Sequence, residues 1–180
     1  PVSTFNLSAS VFGPTPFRVA GIAKLNKNPV EWDANLELLN FQLKNINPYI
    51  QKNVKAFIHK GNLDLYSEVV SEEGKINGYV KPFITKLKID TPEDGFKFKG
   101  EATKGIGNLL NALLKDSEEK TLATKISFKY DKELDVDIIP ALKKAIEHKI
   151  AENIKPGIED SVGQKGMRMD KGLKQAQEEK

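Results

Sequence analysis

From Phe5 to Val11 apolar and polar residues change places at every step: Phe5, Leu7, Ala9 and Val11 against Asn6, Ser8 and Ser10. A period of two describes a strand with one dry and one wet side. Gly13-Pro14-Thr15-Pro16 breaks the run, because two prolines remove backbone donors and restrict φ. A second strand follows, with Phe17, Val19, Ala23 and Leu25 against Arg18 and Lys24. In a third, Trp32, Ala34, Leu36 and Leu38 oppose Asp33, Asn35 and Glu37. At Leu39 the phase slips, and Leu39, Phe41 and Leu43 take over the apolar positions, the mark of a β-bulge.

The longest alternating stretch runs from Gly61 to Ile89. Leu63, Leu65 and Val69 oppose Asp64, Tyr66 and Glu68; after Glu72-Glu73-Gly74, Ile76, Gly78 and Val80 oppose Asn77, Tyr79 and Lys81. This is a hairpin whose turn takes its positive φ from Gly74. Pro82 cannot donate to a ladder, so the strand is expected to end, bulge or lie at an edge there. Phe96 and Phe98 mark a short strand, and Thr121 to Tyr130 a longer one that Leu134 and Val136 extend.

Three segments read as helices. Asn47-Pro48 is an N-cap and first-turn pair opening a short helix to about Asn53. Asn108 to Lys115 puts Leu109, Leu110, Leu113 and Leu114 on one stripe. Asp137 caps a final helix from Ile138 to Ile154, which Pro156-Gly157 stops. The expected fold is α+β and mostly β: a curved antiparallel sheet with one apolar face, partly covered by two or three amphipathic helices. It spans residues 1–158, and the charged segment 159–180 lacks an apolar stripe and is expected to be a disordered tail.

Composition narrows the class without naming a reaction. Hydrophobic residues make up 39% and charged residues 29% of the chain, ordinary for a globular protein. No apolar run approaches the roughly 20 residues of a membrane-spanning helix, and no basic n-region precedes an apolar stretch as in a signal peptide. Pro1 in place of an initiator Met marks a processed or excised piece, compatible with an anchor or export signal removed from it. Cysteine is absent, which rules out disulfides and thiolate chemistry and suits an oxidising compartment. The net charge is +3, and Gly163 to Lys180 contributes five basic against three acidic residues, so the body is nearly neutral. Its lysines alternate with acidic residues and form no basic stripe, which argues against nucleic acid as a partner.

Candidate chemistry is thin. His148 lies beside Glu147 and Glu152 without the HExxH spacing of a helical metal site and reads as a surface residue. His59 reads as a strand-edge residue rather than a general base. Asp135 and Asp137 share a strand face as paired carboxylates do in acid/base or calcium sites, yet alternation with Leu134 and Val136 explains them as a wet face and a helix cap. The glycines from Gly100 to Gly107 miss the Walker spacing, and no GxSxG occurs. No catalytic residue, cofactor or metal is assigned.

The feature that remains is the amount of one-sided strand, whose apolar face must be covered. The chain's own helices would close a two-layer core, the reading the residues favour. An open face would instead shelter acyl chains, since a ten-residue strand spans about 33 Å, comparable to a bilayer's hydrocarbon thickness.

The segments Leu38 to Ile50 (LLNFQLKNINPYI), Gly61 to Tyr66 (GNLDLY) and Gly74 to Pro82 (GKINGYVKP) resemble, in that order, a domain of unknown function in AsmA-like proteins of Gram-negative envelopes. Ile139 to Ile158 is similar to the helical close of those domains, so the resemblance covers Phe5 to Ile158. It implies a non-enzymatic periplasmic or envelope-associated domain that contributes to phospholipid transport or outer-membrane maintenance. The residues expected on the lipid- or core-facing apolar side are Phe5, Leu7, Val11, Val19, Leu36, Leu38, Leu63, Leu65 and Val80. Phospholipid acyl chains and envelope proteins are the expected partners. The alternative is a structural or partner-binding module with a sealed core and no lipid cargo.

Overall fold

Strands that alternate along most of their length pair most simply with their sequence neighbours, and the chain does this almost throughout. A computed structural model describes residues 2–48, 51, 57–90, 121–136 (backbone alone for 133–136), 154–159 and 161–162. The strands are β1 (Ser3–Val11), β2 (Thr15–Lys24), β3 (Glu31–Gln42), β4 (Phe57–Glu72), β5 (Lys75–Asp90), β6 (Leu122–Ala123), β7 (Ile126–Asp131) and β8 (Glu133–Val136). They form one antiparallel sheet in the order β1-β2-β3-β4-β5-β7-β8, with β6 also paired to β5.

The α+β expectation is corrected. Among the described residues helical structure is confined to the 3-10 turn Leu43–Ile46, the adjoining Asn47 and Pro48, and Gln51. Asn47 is not an N-cap: its own backbone is helical, and its side-chain amide bonds both backbone groups of Ile58 at 2.8 Å. It thus acts as one rung of a ladder for the start of β4. Asn108–Lys115 and most of Ile138–Ile154 lie outside the described residues. Ile154 itself is not helical and packs on the sheet.

The long hairpin β4–β5 is the spine, sixteen residues in each strand. Glu72 pairs with Lys75 across a two-residue turn in which both Glu73 (φ 50°) and Gly74 (φ 78°) are left-handed, the type I′ geometry that matches strand twist. Pro82 does not end β5. Its carbonyl accepts from Thr124 N–H (3.3 Å), so its nitrogen faces that same outer side, between the β6 and β7 pairings. The missing donor therefore falls where the outer strand is interrupted. For the same reason the strand expected over Thr121–Tyr130 is two pieces. Leu134 and Val136 do not extend it: the chain reverses at Lys132 (φ 71°), and β8 returns along β7.

The phase slip in β3 is a bulge. Register passes from Leu38↔Leu65 to Phe41↔Leu63, Asn40 adopts φ 54°, and its N–H bonds Asp64 Oδ1 at 2.7 Å. The inserted residue sends Leu39 to the opposite face and returns Phe41 to the face of Leu38. Phe41, Leu43, Ile58 and Leu87 then form a buried cluster, with Leu38, Leu63 and Ile84 packed on it.

Two glycines in the sheet are sites of close approach. A Cβ on Gly78 would lie 2.6 Å from Phe128 Cζ and 2.7 Å from Glu68 O; one on Gly21 would lie 2.4 Å from Phe5 Cζ. Each ring belongs to the residue directly across the ladder and lies over the glycine. We expect Gly78→Ala to lower stability by about 1–3 kcal/mol through overpacking, measured by urea unfolding. An unchanged midpoint would show that Phe128 does not lie there.

Candidate functional site

Because paired residues of an antiparallel ladder share a face, the register assigns every strand side chain to one of two sides. One side is apolar. Its central row runs Leu7–Val19–Leu36–Ser67–Val80–Ile126 across six strands, about 24 Å at ordinary strand spacing. A second row is Ala9–Phe17–Leu38–Leu65–Pro82. The one polar member of the first row, Ser67, is buried and donates its hydroxyl to Tyr79 O at 2.8 Å. It presents no free polar atom that would break the stripe.

The register brings all nine residues expected on an apolar face to this one side: Phe5, Leu7 and Val11 on β1, Val19 on β2, Leu36 and Leu38 on β3, Leu63 and Leu65 on β4, and Val80 on β5. They are not equivalent. Leu38 and Leu63 pack on the Phe41 cluster at one end. Val11, Val19, Leu36, Leu65 and Val80 are half-buried, and Phe5 and Leu7 remain 41% and 55% exposed.

The other side is polar in sequence and is the better buried. Its rows are Asn6–Ala20–Asn35–Glu68–Tyr79–Ser127 and Ser8–Arg18–Glu37–Tyr66–Lys81. Glu68, Tyr79 and Lys81 are each only 1% exposed. What covers them is a strap formed by residues 154–159 and 161–162. Ile154 and Ile158 of the strap, like Leu39, pack against the buried cluster of Tyr66, Phe83 and Ala123. Glu68 accepts the N–H groups of Ser161 (3.0 Å) and Val162 (3.2 Å), and Tyr79 Oη accepts that of Glu159 (2.8 Å). Lys81 Nζ pairs with Glu159 Oε1 at 3.0 Å, and Lys125 pairs with Glu159 Oε2 while lying 4.2 Å from the centroid of the Tyr79 ring. Glu159, Ser161 and Val162 thus belong to the folded unit, although the charged segment drawn from residue 159 was expected to be a tail.

Two carboxylates and two ammonium groups leave the cluster without net charge, as burial demands. Burial alone would raise the Glu159 carboxyl, but hydrogen bonds from Lys125 and Lys81 outweigh it and hold the group below its usual range. Burial pushes the Tyr79 phenol well above its ordinary value; the nearby carboxylates of Glu68 and Glu159 add to this, and the Glu159 N–H opposes it. The members are one another's partners, so the geometry is that of a clasp. Sequence reasoning places Tyr79 and Lys81 on one face but misses Glu68, Lys125 and Glu159; the available signal is the pair of charges Glu68 and Lys81 on otherwise alternating strands, with two isoleucines, Ile154 and Ile158, flanking Pro156-Gly157.

His59 is an exposed β4 residue paired with Asp90 at 2.7 Å and set edge-on to Phe57. Asp135 lies on β8, whose side chains are not described, and Asp137, His148 and Gly100–Gly107 lie outside the described residues. Among the described residues no group of three or more His, Cys, Asp or Glu side chains could hold a metal ion, and no helix is long and apolar enough to cross a membrane. Compared with protein-family models, curated proteins and solved structures, the chain gives no match.

The clasp should respond to both ends of the pH scale. The Glu159 carboxyl is depressed in the folded state, so its contribution is full above the ordinary value of 4.5 and is lost as pH falls through the lower folded value. The Tyr79 phenol is raised, so its contribution is full below 10.0 and is lost as pH climbs beyond that. Thermal melts should show Glu159→Gln flattening the acid limb and Tyr79→Phe the alkaline limb. Glu159→Ala strands the Lys81 ammonium and should cost about 3 kcal/mol, the low end for a buried pair because Glu159 is partly solvated. Wild-type pH profiles in these variants would refute the clasp.

Proposed function

We propose that this chain is a non-enzymatic, envelope-associated domain of AsmA-like type that holds phospholipid acyl chains against the apolar side of its sheet, in the periplasm, and so contributes to phospholipid transport or outer-membrane maintenance. The observation that carries the reading is the row from Leu7 to Ile126, apolar but for the internally bonded Ser67, which ends on β1 at the exposed Leu7 beside the exposed Phe5. The resemblance of the GNLDLY and GKINGYVKP segments to that family supports it, as does the internal use of the Ser67 hydroxyl.

The energetics suit a hydrocarbon ligand. Burying a methylene contributes about 0.8 kcal/mol, so a tail with about a dozen methylenes half covered by this face gains roughly 5 kcal/mol. Binding of that strength needs no directional contacts, which fits a surface that offers none. The clasp on the opposite side leaves the sheet one wettable and one oily exterior.

Protein purified from cells and extracted for mass spectrometry should carry phospholipid. Leu36→Glu and Leu65→Glu should lose it while keeping the strand signal in circular dichroism, because both residues are half-buried on the wild-type surface. A wild-type protein that is consistently free of lipid, with both variants merely unfolded, would overturn the reading in favour of a sealed core.

A further inference from the structure

Among the described residues β1 forms one edge of the sheet and has none of the features that normally protect an edge. A free edge presents unpaired N–H and C=O groups to any passing strand, and proteins blunt it with charge, proline, a bulge, brevity or a cover. β1 has nine residues, STFNLSASV, none charged and none proline. Its register with β2 runs without a bulge from Ser3↔Ala23 to Val11↔Thr15. Every residue from Thr4 to Ser10 is exposed, and none of the described residues covers the strand. Each other strand longer than two residues carries at least one charge.

The opposite edge is built differently. β8 has only four residues, two of them acidic. Head-to-tail addition of β1 onto β8 of another copy would leave more than half of β1 unpaired and would not close. β1 is better matched to itself. Placed antiparallel with Leu7 opposite Leu7, it sets Phe5 opposite Ala9 and Ser3 opposite Val11 on the apolar side, and Asn6 opposite Ser8 and Thr4 opposite Ser10 on the polar side. No like charges meet, and a two-fold axis normal to the sheet keeps apolar side with apolar side.

We infer that β1 is a dimerisation edge, along which two copies of this chain pair antiparallel about Leu7 and join their sheets into one. The exposed Phe5 and Leu7 side chains gain cross-strand neighbours by this pairing. A ladder about 30 Å long buries less than the roughly 800 Å² per partner of a standard interface, so the dimer is reversible and forms at elevated concentration. The pairing stands without the lipid reading; where both hold, the apolar face doubles in width.

Sedimentation velocity of the whole chain over a dilution series tests it, with hydrogen exchange reporting where protection appears. The expected result is a monomer–dimer equilibrium in which amides of β1 gain protection as the dimer forms. A double variant Asn6→Lys/Ser8→Lys opposes lysines across the axis and should weaken the dimer by about tenfold or more. Asn6→Glu/Ser8→Glu should do the same, and mixing the two should restore a heterodimer, which a misfolded variant cannot do. A wild-type chain monomeric throughout, a dimer without protection on β1, a dimer indifferent to either double variant, or a mixture that stays monomeric would each overturn the inference.

Discussion

The carboxylates of Glu68 and Glu159 fasten residues 154–159 and 161–162 across one side of the sheet, and most of what distinguishes this protein follows from that attachment. A buried ammonium and a buried carboxylate cost several kcal/mol each unless paired and hydrogen-bonded. Lys81 and Glu68, each 1% exposed, are both answered by the strap, one through the Glu159 side chain and the other through two backbone N–H groups. Tyr79 completes the attachment by accepting the Glu159 N–H. The isoleucines of the strap supply the apolar cover that polar strand residues could not supply for themselves. The sheet's polar side is in this way its core side.

Among the described residues that inversion leaves the apolar side without a covering layer of its own. In an ordinary two-layer domain the apolar face is consumed by its own covering layer. Here the described covering element is on the polar side, and the tightly packed apolar residues are gathered at one end around Phe41, Leu43, Ile58 and Leu87. From that end the rows through Leu38 and Leu36 lead out to half-buried and then exposed residues at β1. A hydrocarbon ligand and a second sheet edge make different demands on this surface, one along its rows and the other along its free backbone, and the two are compatible.

Much of the sheet was legible in the sequence because alternation has only one physical reading when it persists. The faces of β1 to β5, the slip at Leu39 and the turn at Gly74 all follow from period and turn chemistry. The helices misled for a related reason: Asn47-Pro48 carries a helix-start signal, but the Asn47 amide has a better partner in the Ile58 backbone, a contact no local window contains. At Pro82 the sequence leaves open whether the strand ends, bulges or lies at an edge, because the place of its nitrogen depends on where β6 and β7 stop. The clasp was illegible for the same cause. Polar strand positions look wet until a segment some eighty residues away, such as Glu159 for Lys81 and Tyr79, comes back to cover them.

The absence of cysteine permits a direct test of the two unlike sides. Ala34→Cys reports on the apolar side, where Ala34 is half-buried, and Ala123→Cys on the side under the strap, where Ala123 is 7% exposed. The decisive quantity is the rate of thiol labelling in each, with and without Glu159→Ala to loosen the clasp. A sheet sealed on its polar side predicts slow labelling at residue 123 that Glu159→Ala accelerates, and faster labelling at residue 34 that the same change leaves alone. Equal rates at the two positions, or a rate at residue 123 indifferent to Glu159, would contradict it.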